Sequence, residues 1–155
     1  MNKPFSVQHS FEKFTYGYEN ENGFSSHIAT HMHMGWEFLF VKNGTLAYAV
    51  DGNVFDITPG SLIISRPGEI HALYPKGIIR YERHSLIISD SLVPTDIIRQ
   101  IPQDFYVLDV SDNKIILDMF DKISLFSLVF FVLSFELFFL LNNINSFYFQ
   151  MNIDS

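Results

Sequence analysis

The chain has 155 residues, 48% of them hydrophobic, with 17 acidic and 10 basic side chains giving a formal net charge of −7, and it contains no cysteine. A single domain of this size buries roughly 68–70% of its unfolded surface, enough for a core without staples, and the absent thiols exclude cysteine catalysis, Cys-type zinc sites and disulfide frameworks. Lys and Arg are scattered singly from Lys3 to Lys122, so no basic stripe is available to neutralise phosphates, and the chain is not expected to bind DNA alone.

The first residues never build the apolar run of a secretory signal, which predicts a cytoplasmic location. Residues 1–24 read as an N-terminal arm, with Asn20-Glu21-Asn22-Gly23 as a surface loop before a barrel over residues 25–110. Within the barrel the candidate strands are Ile28 to Val41, Thr45 to Val50, Val54 to Thr58, Ser61 to Ser65 and Ile78 to Ser89. Asn43-Gly44, Asp51-Gly52-Asn53, Pro59-Gly60 and Arg66-Pro67-Gly68 separate them, each a turn signal with its own dihedral reason. Pro94-Thr95-Asp96 can start a short helix that Pro102 interrupts, and Phe105 to Val110 reads as a small strand. Ser111 or Asp112 is then the expected cap of a helix whose stripe is Ile115, Ile116, Met119, Phe120 and Ile123, a stripe that could continue into a dimer contact. Residues 111–155 thus form a C-terminal helical, dimerising or truncated segment.

That last segment changes style abruptly. Ile123 to Leu141 is a nineteen-residue run with Glu136 as its only charge, close to the length of a membrane span. Its flanks argue against a membrane anchor, because only Lys122 is basic. From Ile123 to Ser155 there is no Gly, Pro, Ala, Thr, Trp, His, Lys or Arg, which leaves a buried or dimer-forming helix and a truncated or frame-shifted end as the other readings.

The chemically informative run is His31-Met32-His33-Met34-Gly35-Trp36-Glu37. On one continuous strand, residues of equal parity project from one face roughly 6.6–7 Å apart, so His31, His33 and Glu37 are expected to line one inner wall. Two imidazoles and a carboxylate suit zinc, iron, manganese or nickel, and His71 is the natural fourth ligand if its strand returns beside the first. The plainer alternative is a metal-free group in which the histidines hydrogen-bond Glu37 and Tyr48. Trp36, Phe38 and Phe40, of opposite parity, are expected to pack under the later helices. Tyr48 and Tyr74 offer polar tips to a hydroxylated ligand. Arg80, Arg83 and His84 read as a mostly solvated strand, with a sugar-binding Arg as the sharper alternative, and His9 and His27 receive no role.

The run from His31 to Gly44 resembles the first motif of the cupin superfamily, HxH followed by three residues, Glu, six residues and Gly; every fixed position matches. Gly60 to His71 resembles the second motif, although Arg66 stands where a Pro is usual and Pro75 replaces a frequent Asn. More narrowly, Pro59-Gly60-Ser61-Leu62 through Pro67-Gly68-Glu69-Ile70-His71 is similar to the effector-binding and dimerisation domain of AraC-type transcription regulators, over about Phe24 to Ser89 and loosely to Ile123.

This resemblance implies an all-β fold with C-terminal helices, an RmlC-like cupin jelly-roll barrel. It also implies a non-enzymatic ligand-sensing domain for a small metabolite such as a sugar, homodimerising through its C-terminal helices and cut off before the helix-turn-helix domain that would bind DNA. The expected ligand-binding residues are His31, His33, Glu37, Tyr48, His71 and Tyr74, with no catalytic residue and no cofactor. The alternative is a small metal-dependent cupin enzyme, of dioxygenase or isomerase type, with His31, His33, Glu37 and His71 holding the divalent ion.

Overall fold

Turn chemistry cuts the chain where the sequence announces it. In the computed structural model, which describes residues 5–10, 13–98, 101–126, 140, 142–144 and 146, the strands are β1 (Phe5–Ser10), β2 (Phe14–Phe24), β3 (Ile28–His31), β4 (Trp36–Asn43), β5 (Leu46–Val50), β6 (Asn53–Ile57), β7 (Ser61–Ser65), β8 (His71–Pro75), β9 (Ile79–Ile88) and β10 (Val107–Asp109). After β9 come helix α1 (Thr95–Ile98) and, after β10, helix α2 (Lys114–Phe126), and the described residues 140, 142–144 and 146 are also helical. The β5–β6 hairpin closes through Asp51 and Gly52, both at positive φ (49° and 76°), the pairing that lets a two-residue turn match the twist of its strands.

The strands form a six-stranded sheet in the order β1-β2-β9-β4-β7-β10 and a four-stranded sheet in the order β3-β8-β5-β6, with every pairing antiparallel. This is the expected all-β jelly roll. Between the sheets lies one apolar cluster, with Leu39, Val41, Leu46, Tyr48, Ile57, Ile63, Leu73 and Tyr81 almost fully buried. A second fills the space between the outer face of the six-stranded sheet and α2, where Phe38, Phe40, Leu62, Ile64, Ile116, Met119, Phe120 and Ile123 meet. Strand β4 is therefore covered on both faces. Trp36, Phe38 and Phe40 point to the helix layer and Leu39 and Val41 into the barrel, which accounts for its unbroken apolar run. Phe40 stacks on Phe120 with centroids 5.2 Å apart, as the parity argument requires.

Four expectations need correction. The N-terminal segment is not a free arm, since β1 and β2 form a hairpin docked along β9, with Ser6 opposite Glu19 and Tyr16 opposite Leu86. Nor is Asn20-Glu21-Asn22-Gly23 a loop; it lies within β2, and only a bulge at Asn22 to Phe24 marks it. The span Ile28 to Val41 is two strands in different sheets, broken over residues 32–35.

The fourth correction concerns α2. Its cap is Asn113, whose side-chain oxygen accepts from the Ile116 N–H at 3.2 Å, whereas the Ser111 N–H donates to Asp109. Its buried face is Ile116, Met119, Phe120 and Ile123, while Ile115 is 56% exposed. That stripe is occupied by the protein's own sheet, so pairing through α2 would have to use the helix's other face. Leu140 and Ile144 are buried in the same core, and most of the Ile123 to Leu141 run lies outside the described residues. Among the described residues no helix is long and apolar enough to cross a membrane.

The break before β4 depends on Gly35. A Cβ there would sit 2.3 Å from the Ile88 carbonyl oxygen, a backbone atom that cannot turn away. Gly35→Ala is expected to destabilise the fold by about 1–3 kcal/mol, the usual range for overpacking, read as a lowered urea midpoint at unchanged slope. A midpoint equal to that of the parent chain would show that the contact is relaxed at no cost.

Candidate metal and ligand site

Four side chains from separate stretches of sequence converge at one end of the barrel. His31 ends β3, His33 lies in the break, Glu37 is the second residue of β4 and His71 opens β8. The register pairs His31 directly with His71 across the four-stranded sheet, and the break carries His33 over towards Glu37 on the other sheet. Ring centroids are 4.4 Å apart for His31 and His71, 4.9 Å for His31 and His33, and 5.5 Å for His33 and His71. One candidate ligand atom from each of the four residues lies within 4.8 Å of the others. The convergence expected from the sequence is present, but its cause is a crossing between sheets rather than equal parity along one strand.

Hydrogen bonds fix which nitrogen two of the three imidazoles present. The His31 Nδ1–H donates to the Ala29 carbonyl at 2.7 Å and the His71 Nδ1–H to the Glu69 carbonyl at 3.0 Å, leaving both Nε2 atoms for the cluster. Glu37 is only 5% exposed, with Oε1 3.7 Å from His33 Nε2 and Oε2 3.2 Å from His71 Nε2. The Nε2 atoms of His33 and His71 are buried without a well-formed hydrogen bond. In the tautomer set by Glu69, His71 Nε2 carries a lone pair, and a lone pair facing a carboxylate oxygen at 3.2 Å repels unless a proton or a cation lies between them.

The protonation preferences express the same tension. Burial lowers the His33 pKa, and the attraction of Glu37 only partly offsets it. For His71 burial also opposes charge, but the adjacent Glu37 carboxylate outweighs it and the pKa is raised. Burial pushes Glu37 up, yet its histidine neighbours and Arg83 bring it below the usual carboxylate range. A bound proton on His71 answers this arrangement, and so would a divalent cation, which could satisfy both orphaned nitrogens and the carboxylate together. The donor set of three imidazoles and one carboxylate fits zinc, iron, manganese or nickel.

Beside the cluster lies a cavity of about 270 Å³. Its floor is one face of the six-stranded sheet, with Ser6 and Gln8 from β1, Thr15, Gly17 and Glu19 from β2 and Arg83, Ser85 and Ile87 from β9, and His31, His33 and Glu37 lie at its end. The remaining predicted residues lie elsewhere. Tyr48 is buried against the back of His71, ring centroids 5.8 Å apart, and its hydroxyl hydrogen-bonds Ser65 at 2.9 Å rather than the histidines. Burial pushes the Tyr48 phenol well above its ordinary range, so it stays protonated. Tyr74 is 43% exposed on the outer face of the four-stranded sheet, stacked on His27, and is not brought to the cluster.

Arg83 and His84, read from the sequence as solvated, are not. Arg83 lines the cavity with its Nε–H donating to Glu19 at 3.0 Å, and His84 is 1% exposed beneath α2 with its Nδ1 2.9 Å from the Tyr16 hydroxyl. The available signal was burial on both faces of β9, where Tyr81 and Leu86 are apolar anchors of opposite parity. Arg66, the departure from the usual proline, also has a role. Its guanidinium donates to the carbonyls of Pro102 and Phe105 and to Glu69, between the rings of Trp36 and Tyr106, so it ties the loop before β8 to the segment after the barrel.

Comparison with known proteins bears on the fold. Residues 22–77 match the family described as cupin domain. A cupin superfamily protein from Desulfitobacterium hafniense superposes with a TM-score of 0.50 at 16% identity, over 57% of this chain and 80% of that one. A conserved Streptococcus pyogenes protein of unknown function gives 0.49 at 16%, over 56% and 75%. A single-residue variant of oxalate decarboxylase from Bacillus subtilis gives 0.47 at 13%, over 57% and 26%. At 16% identity the likeness to the first of these shows the fold alone, a jelly roll. No curated protein matches the chain in sequence.

Proposed function

We propose that this cupin domain is a ligand-sensing module of the AraC-type regulator kind, binding a small metabolite in the cavity between the terminal hairpin and the histidine cluster. One observation carries the reading: Ser6 and Gln8 of β1 share that cavity with His31, His33, Arg83 and Ser85 of the barrel. A ligand lodged there touches the first strand and the barrel at once, so it has differential affinity for the docked and undocked hairpin. The motif resemblance over Pro59 to His71 adds the regulatory context, in which pairing of two copies and DNA binding by a further domain complete the response.

The test is hydrogen exchange on the isolated chain with and without small metabolites that raise its melting temperature. Binding is expected to slow exchange in residues 5–10, because a ligand that binds the native state stabilises it by mass action. A stabilising ligand that leaves this strand unprotected, or a broad metabolite panel with no stabiliser, would refute the sensor.

The orphaned Nε2 atoms of His33 and His71 favour a second reading, a metal-dependent cupin enzyme. In the enzyme His31, His33, Glu37 and His71 would hold one divalent ion, which would polarise a substrate oxygen as a Lewis acid. The residues' own part is to fix the Nε2 lone pairs through Ala29 and Glu69 and to place Glu37 between two imidazoles. Elemental analysis of protein purified without chelator separates the readings: turnover that tracks metal content supports the enzyme, whereas metal-independent ligand binding with no turnover supports the sensor.

A further inference from the structure

We propose that the cavity selects a small carboxylate and that Arg83 is its specificity-determining residue, an inference that rests on the small-molecule reading above. Arg83 is the sole Lys or Arg among the described side chains lining the cavity. Its place in the sheet is central, opposite Glu19 of β2 on one side and Val41 of β4 on the other. The side chain is 22% exposed and its Nε–H is held by Glu19. Of the five N–H donors of a guanidinium, that contact uses one, and the planar fork matches a carboxylate with two parallel hydrogen bonds.

The surroundings suit a polar guest. Gly17 faces Ser85 across the β2–β9 pair, so neither strand puts a large side chain into the space there. Along β9, Arg83 stands four residues from Ile87, the register partner of Glu37, about 13 Å by strand rise; the long Arg side chain shortens that gap, and its charge is felt at Glu37. A ligand of a few carbons can therefore engage Arg83 at one end while the hydroxyls of Ser6 and Ser85 and the amide of Gln8 serve its polar groups.

The donor set fixes the class. The guanidinium N–H groups of Arg83 not used by Glu19 can pair a carboxylate in a charge-assisted fork; a neutral polyol offers no charge to pair, and a phosphate monoester carries more charge than one guanidinium already shared with Glu19 can balance.

Isothermal titration of the metal-free chain with glycerate and gluconate, against glycerol, glucitol and glycerol phosphate, tests this. The two carboxylates are expected to bind and the polyols not, with Arg83→Gln weakening the carboxylates roughly 10–100-fold and Arg83→Lys weakening them less. Because Arg83→Gln could impair folding, Glu19→Gln supplies the independent arm: freed of its internal partner, Arg83 should bind glycerate at least as tightly as before. Polyols binding as well as acids, glycerol phosphate outcompeting glycerate, no probe binding at all, or weaker glycerate binding in Glu19→Gln would each overturn the assignment. The sensor itself stands or falls separately on protection of residues 5–10 by stabilising metabolites.

Discussion

Replacing His71 by alanine is expected to lower the affinity of the chain for zinc or manganese by more than roughly 100-fold. Loss of an outer partner of a metal ligand typically costs roughly 10–100-fold, and His71 would be a direct donor whose Nε2 is aimed by the Glu69 carbonyl and faces the Glu37 carboxylate. Glu37→Gln should act in the same direction, because it removes the only carboxylate charge in the cluster while keeping its volume. Tyr74→Ala is the matched control. Its ring lies on the outer face of the same strand, so metal affinity should not change. Equilibrium dialysis with metal analysis reads all three, and equal binding by the His71 variant would dismiss the cluster as a metal centre.

Acidification is expected to weaken the fold by about 3 kcal/mol between pH 6.5 and pH 4 through His84 alone. Burial, followed by the charge of Lys42, depresses its pKa to about 4, against the attraction of Asp121 and Glu82. A histidine depressed in the folded state binds fewer protons there than when unfolded, so its contribution is complete above the unfolded value and is lost as pH falls towards the folded one. The ring is packed among Tyr16, Tyr18, Phe40 and Phe120, with Nε2 unpartnered at 3.9 Å from Asp121, a carboxylate already held by Lys42 at 2.7 Å. Charging it places a cation in that apolar layer. Urea titrations across this range should show stability rising with pH in the parent chain and a flatter profile in His84→Gln; parallel profiles would mean that other groups control acid unfolding.

The sequence made the four cluster residues legible because their spacing follows a motif, not because the strand geometry argued for them was right. Residues 32–35 interrupt the strand, and a parity count cannot see a chain that changes sheets. The hairpin turns were readable from residue chemistry, as Asp51-Gly52 shows. Strand β2 was missed for a reason tied to the cavity. Its period-two pattern exists in Phe14, Tyr16 and Tyr18, alternating with Thr15, Gly17 and Glu19, which line a polar space, but Gly17 and the polar run Glu19 to Gly23 have the composition of a loop and hide it. Arg83 and His84 misled in a related way, since charged residues on a strand usually face water, and here one faces a polar cavity and the other a tyrosine hydroxyl.

Trp36 and Glu37 are consecutive on β4. The Trp36 indole N–H donates to Asp90 at 2.9 Å, at the start of the short 3-10 turn where the chain leaves the barrel, and Glu37 reaches the histidines on the opposite side. Because β4 is hydrogen-bonded to β7 on one side and β9 on the other, its backbone holds both anchors in place, and a shift of this end of the strand would be felt at the histidine cluster and at the exit turn together.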